Sequence, residues 1–135
     1  MSISSTGPIV SLSNLELLIY SEHLLATSDE EAGLRAAASR SYYAAYHQAF
    51  DLADKLRCPQ PSASKKGCHE KIIDRYKDMY SDGFNISRLL QKQKMVRVTA
   101  DCKLSKGFSR EEAKLHVMSC SKLVKSLELM NMISG

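Results

Sequence analysis

Ala37-Ala38-Ser39-Arg40-Ser41-Tyr42-Tyr43-Ala44-Ala45-Tyr46-His47-Gln48-Ala49-Phe50 is the stretch from which the rest of the chain can be read. It lacks glycine and proline and is rich in alanine, the best helix former, so it predicts the middle of a long helix. Each helical residue turns by roughly 100°. With Tyr42 at zero, Ala38, Ala45, Tyr46, Ala49, Leu52, Ala53 and Leu56 fall within about 80° of it, and they form the expected core face. Arg40 and His47 fall on the other side. They are seven positions apart, so they differ by about 20° in direction and roughly 10 Å along the axis. A phosphate-sized ligand between them is within reach of both.

The company of this pair is unusual for a water-facing surface, which normally carries Lys and Glu. Gly33, Ala36, Ala37, Tyr43 and Ala44 surround it. Residues this small admit another backbone, so the face is expected to lie under a second helix, that of another copy of the chain. A two-fold homodimer built through the Arg40/His47 face would bring two such pairs to one cleft. The alternative is structural: Arg40 pairs with Asp51 or Asp54 of a neighbour, and His47 is a hydrogen-bonded packing residue.

Outward from this stretch the chain predicts an all-α fold, an antiparallel up-and-down bundle of four to five helices. The long helix is expected over Asp29 to Arg57, opened by a Ser28/Glu31 capping box and stopped by Pro59 and Pro61. Before it, Ser13 and Glu16 cap a helix over Asn14 to Ala26. After a loop from Cys58 to Cys68, expected to be mobile, a third helix spans Glu70 to Ser81 and ends at Asp82-Gly83. Asn85 caps a fourth, Ile86 to Cys102. Ser109 and Glu112 open a last one, Arg110 to Met132, with an apolar stripe of Ala113, Val117, Cys120, Leu123, Val124 and Leu127. No strand alternation and no internal repeat interrupts this pattern. The short connections favour antiparallel neighbours.

The chain has 135 residues, enough for one domain with a real core. Residues 1–10 read as a flexible tail and 11–135 as the helical domain. No apolar run reaches the roughly 18 residues of a membrane helix. The first ten residues lack the basic start and apolar stretch of a signal peptide, so a cytoplasmic location is expected, with no membrane partner. There the four cysteines, Cys58, Cys68, Cys102 and Cys120, stay reduced. Cys68-His69 fits no familiar zinc spacing, so no metal and no cofactor are expected. The net charge of +4 is unevenly placed. Residues 1–57 carry four Lys/Arg against seven Asp/Glu, whereas residues 86–125 carry ten against three. The basic half suits a polyanion such as RNA, or is simply a solvated helix surface.

The 37–50 stretch resembles the long-helix signature of the HEPN superfamily, especially its small stand-alone prokaryotic members. These carry an Arg, two aromatics, small residues, an aromatic and a His. His69 before Ile72-Ile73 is similar to the histidine that opens the family's next helix. Arg97-Val-Thr-Ala-Asp-Cys102 resembles its Arg-x-x-Ala-Asp-Tyr, and Glu111-Glu112-Ala113 opens a last helix as in the family. The resemblance spans about Leu15 to Leu127. Two positions depart from it: Ser41 stands where Asn, Asp or His is frequent, and Cys102 where Tyr is common.

The resemblance implies a dimeric helical bundle and, in many members, a metal-independent endoribonuclease with four to six residues between Arg and His. Arg40 and His47, with six residues between them, satisfy that pattern as the catalytic pair. Such proteins act as toxins or in phage defence, often beside a nucleotidyltransferase-like antitoxin or within a defence complex. Imidazole titrates near neutrality, so His47 can take the proton of a ribose 2′-OH or return one to the leaving 5′-oxygen. The planar fork of Arg40 suits charge developing on phosphoryl oxygens. Tyr43, Ser41, His69 and Arg97 complete the expected substrate-binding set. Tyr43 holds phosphate, stacks on a base or packs at the interface; Arg97 contacts RNA or pairs with Asp101 at helical spacing. Arg88, Lys92 and Lys94 are candidates to guide an RNA backbone. The alternative function is a non-catalytic HEPN module that binds nucleotide, RNA or a partner protein.

Overall fold

The computed structural model describes residues 13–56, 67–77 and 81–134. Among them are five α-helices and no strand: α1 (Asn14–Thr27), α2 (Glu31–Lys55), α3 (Cys68–Lys77), α4 (Ser81–Cys102) and α5 (Arg110–Ser134). The expected tail, Cys58 and most of the expected mobile loop lie outside the described residues. None of the described helices is long and apolar enough to cross a membrane.

The helix α2 is the central post. Ala38, Tyr42, Ala45, Tyr46, Ala49, Leu52 and Ala53 are all buried, which is the face that the 100° rule assigns to the core. They pack with Leu18 of α1, Ile72, Ile73 and Tyr76 of α3, Ile86 and Leu90 of α4, and the expected α5 stripe from Cys120 to Leu127.

Side-chain contacts fix the direction of each neighbour. Asn14 donates to Gln48 (3.0 Å), and Leu25 packs near Leu34, so α1 runs antiparallel to α2. Along α3, His69 meets Tyr42, and the Tyr76 hydroxyl donates to the Ala49 carbonyl (2.6 Å); α3 is therefore parallel to α2. Arg97 lies over Tyr42, and the carbonyls of Thr99 and Ala100 lie against Arg35, so α4 is antiparallel. Along α5, His116 meets Ala38 and Asn131 meets Lys55, a second parallel pair. The bundle is thus not a plain up-and-down one. The start of α3 thus lies at the level of Tyr42, about 20 Å back along the axis from the end of α2 at 1.5 Å per residue.

Two expected boundaries also move. The Ser28/Glu31 capping box does not form: Glu30 is the cap residue and makes no side-chain capping bond. Glu31 instead accepts from the Phe108 amide (3.0 Å) and pairs with Arg35 (3.0 Å). Its carboxyl is held below the usual carboxylate range by those two donors, the Phe108 amide first. Asp82-Gly83 and Asn85, expected as a stop and a cap, are inside α4, where Gly83 is buried. The Ser109/Glu112 box forms in both directions, at 3.1 and 3.4 Å. At Ser13 only the half in which its hydroxyl accepts from the Glu16 amide is present.

The small residues beside Arg40 and His47 are largely explained within one chain. Ala37 and Ala44 are fully buried, and Ala44 shares a cluster with Leu18 of α1. Gly33 admits the turn before α2: a Cβ there would stand 2.5 Å from the Ser28 Cβ. Gly33→Ala is therefore expected to destabilise by about 1–3 kcal/mol, because the overlap outweighs Ala's helix propensity. Urea unfolding at neutral pH measures it; a variant as stable as the wild type would refute the close approach.

His116 on α5 is a buried polar group that joins three helices. Its Nε2 donates to the Ala38 carbonyl (2.9 Å), and its Nδ1 meets the Gln93 side-chain amide (2.7 Å). Burial pushes its pKa down to about 4, against the opposing effect of the Ala38 bond. Between pH 6.5 and about 4 the unfolded chain binds a proton that the folded chain refuses. The contribution is present above pH 6.5 and lost as pH falls toward 4. From this group stability should drop by about 2 kcal/mol between pH 7 and pH 5. Urea midpoints at the two pH values test this, and His116→Gln should flatten the difference. An equal slope in that variant would exclude His116 as the cause.

Candidate functional site

Along α2, Arg40 and His47 are exposed on one side, and Tyr43 between them is half-buried. Arg40 makes no ion pair among the described residues. The two acids once considered as its partners are engaged elsewhere: Asp54 pairs with Arg75 (2.9 Å), and Asp51 lies 3.4 Å from the Asn14 amide.

The site broadens where α3 begins. His69 sits among the α2 aromatics, with ring centroids 4.3 Å from Tyr46, 5.4 Å from Tyr42 and 5.6 Å from Tyr43. His47 approaches the same group from the solvent side, 5.1 Å from Tyr46 and 6.2 Å from Tyr43. The Nδ1 of His69 is 3.0 Å from the Tyr42 hydroxyl. The parallel course of α3 puts this histidine beside the middle of α2 rather than at its end.

From α4, Arg97 closes the cluster. Its guanidinium lies 5.6 Å from the ring centroids of both Tyr42 and Tyr43, a cation–π distance. It also pairs with Asp101 (3.6 Å), which accepts from the Ser39 hydroxyl (3.1 Å). The Arg97 Nε is buried without a hydrogen-bond partner among the described residues. Both roles expected for Arg97, the Asp101 pair and a place in the site, are thus compatible.

The electrostatics favour neutral, proton-bearing groups beside fixed positive charge. Burial raises the Tyr42 pKa, against the opposing charge of Arg97. Burial and contact with Cys68 push Tyr46 up to about 12. His69 is lowered by burial and then by the positive charges of Arg97, Lys94 and His47. At neutral pH His69 is an imidazole whose Nδ1 shares one proton with a phenol. If the phenol donates, Nε2 carries a hydrogen and is a donor. If Nδ1 donates, Nε2 is a base.

The structure brings His47, His69, Tyr43 and Arg97 together and leaves Arg40 on the same side of α2, two turns before His47. Ser41 is the exception. It is fully buried, and its hydroxyl donates to the Ala38 carbonyl (3.0 Å), on the side of Cys120. Its side chain points to the α5 side of α2, so it does not join the surface on which it was expected to bind substrate. Cys102 is exposed with a free thiol. Of the expected RNA guides, Lys94 pairs with Glu70 (3.0 Å). Arg88 and Lys92 line a cavity of ≈ 560 Å³ between α3 and α4, which Glu70 and Asp74 also line. Its charge is mixed rather than basic.

Sequence reasoning assigned Tyr42 and Tyr46 to the core and did not see that they also wall in His69. No sequence period connects residues 27 and 23 positions apart across a connection. No protein-family model, no curated protein and no solved structure matches the chain.

Proposed function

We propose that the chain is a HEPN-type protein that acts as a metal-independent endoribonuclease of a toxin–antitoxin or phage-defence system. The observation that carries this reading is the convergence of two imidazoles, His47 and His69, with the Arg97 guanidinium on a platform of tyrosine rings, beside the exposed Arg40. Aromatic faces stack on unpaired bases, and guanidinium forks hold phosphate. In this mechanism His47 takes the proton of a ribose 2′-OH as that oxygen attacks phosphorus. The bond to the 5′-oxygen breaks, and the imidazolium formed on His47 passes its proton to that oxygen. The products are a 2′,3′-cyclic phosphate and a 5′-hydroxyl, so atoms and protons balance. Arg40 stabilises the charge on the two non-bridging oxygens.

The protein acts as a homodimer through the strip of α2 on which its own chain leaves Arg40, His47 and Phe50 exposed and Ala36 half-buried. The second copy contributes its own Arg40 and His47 to the cleft. Its biological partner is a nucleotidyltransferase-like antitoxin or a component of a defence complex, and the protein works in the cytoplasm. The buried Ser41 favours a second reading, a non-catalytic module that binds RNA or nucleotide, because the residue after Arg40 offers the substrate nothing. Incubation of purified protein with mixed-sequence RNA in EDTA separates the two. Cleavage to cyclic-phosphate ends supports the enzyme; binding without cleavage supports the module. A monomer at all concentrations by sedimentation would refute the shared cleft.

A further inference from the structure

The helices α1 and α5 enclose a groove of ≈ 540 Å³ on the side of the molecule away from α3. Its floor is aliphatic: Leu25 of α1 with Val117 and Met118 of α5. The apolar character continues past its end, because Leu15 and Ile19 of α1 are 54% and 56% exposed. They share one helix face with Glu22 and Ala26, at spacings of four, three and four. Contiguous exposed apolar surface of this kind marks an interaction site.

The rim is cationic. Lys114, Lys122 and Lys125 line the groove with Arg110, against the single carboxylate of Glu22 among its lining residues. None of the three lysines has an ion pair among the described residues. Arg110 is committed to the fold, donating to the carbonyls of Leu25 (2.8 Å) and Ser28.

We infer that this groove docks an acidic amphipathic helix of a partner protein, its apolar stripe on Leu25, Val117 and Met118 and its carboxylates against Lys114, Lys122 and Lys125. Helix-in-groove recognition needs this combination of apolar floor and charged edge. RNA fits less well, because the groove has no aromatic ring on which a base can stack and its one guanidinium is occupied. A second copy of this chain fits less well too: a two-fold pairing of like surfaces would set lysine rim against lysine rim.

A fluorescein-labelled synthetic helix of ~18 residues, with leucines at i, i+3, i+4 and i+7 and glutamates elsewhere, tests the proposal. It should bind the full chain saturably with a Kd of roughly tens of micromolar at near-physiological salt, and each of Met118→Asp and the double change Lys122→Glu/Lys125→Glu should weaken it roughly tenfold or more. These positions are exposed, and circular dichroism confirms that the variants fold. His47→Ala should leave the binding unchanged, which keeps this result separate from the nuclease reading. No saturable binding would overturn the proposal. So would equal binding of a shuffled peptide without an apolar stripe, or displacement by oligouridylate, which would make the surface a polyanion site. Dimerisation lost in Met118→Asp would assign the groove to a second copy instead.

Discussion

His47→Ala is expected to lower metal-independent RNA cleavage by a factor on the order of 10²–10⁴, the usual contribution of a positioned acid–base group. His47 is exposed and has no hydrogen bond among the described residues. Its ring contacts are a tilted one with Tyr43 and an edge-on one with Tyr46. Truncation therefore removes a proton carrier without opening a cavity, and stability should change by less than about 1 kcal/mol. Rates on a quenched fluorescent RNA in EDTA, beside a urea titration, measure both quantities. Arg40→Lys keeps the charge and loses the planar fork, so it should recover only part of what Arg40→Ala loses. His69→Ala differs again. It leaves the Tyr42 hydroxyl without its 3.0 Å partner, so both activity and stability should fall. A His47→Ala protein that cleaves as fast as the wild type, with the same product ends, would remove the helix pair from the chemistry.

How far the sequence carried depended on whether a signal was local. The 100° rule placed the core face of α2 because that face depends only on residues within the helix. The Ser109/Glu112 box formed for the same reason: both partners lie in one turn. The Ser28/Glu31 box failed because a competitor 77 residues away, the Phe108 amide, takes the Glu31 carboxylate. Asp82-Gly83 reads as a turn, yet packing against α3 carries the helix through it, since propensity is weak against tertiary contacts. The alanines beside Arg40 were read as a seat for another copy's helix; Ala37 and Ala44 are already fully buried within the single chain, Ala44 in the cluster that includes Leu18 of α1. His116 left a readable trace, because it stands three residues after Ala113 and four before Cys120 on the apolar stripe of α5. The meeting of His47, His69 and Arg97 left none in spacing alone. It depends on α3 running parallel to α2, which no connection length dictates.

The largest effect on stability is expected from Arg35, which lies on the core side of α2 and is 7% exposed. Its guanidinium donates to the carbonyls of Thr99 (3.0 Å), Ala100 (2.9 Å) and Lys103 (3.3 Å), and to that of Lys106. The first two belong to the last turn of α4; the Thr99 carbonyl also accepts from the Lys103 amide (3.1 Å), and carbonyls at a helix end otherwise lack partners within the helix. The positive group also sits at the negative end of the α4 dipole, with the Phe108 ring 5.6 Å away. One side chain thus holds the end of α4, the turn that follows and, through Glu31, the Phe108 amide. Arg35→Met keeps most of the aliphatic volume and removes every donor, so the buried Ala100 carbonyl and three part-buried ones lose charged hydrogen bonds together. Stability should fall by about 3–5 kcal/mol. Arg35→Lys should recover a minor part, because one ammonium cannot reach four carbonyls spread over a plane. Glu31→Gln should cost much less, since the Glu31 side chain is about half-exposed and water replaces its pair. Urea unfolding gives the three values, and amide exchange should quicken first in the last turn of α4. The consequence reaches the candidate site, because Arg97 and Asp101 occupy that same end of the helix. A chain folded but loosened by Arg35→Met should lose RNA binding before it unfolds, whereas intact binding at full loss of α4 protection would show that Arg97 is not part of the site.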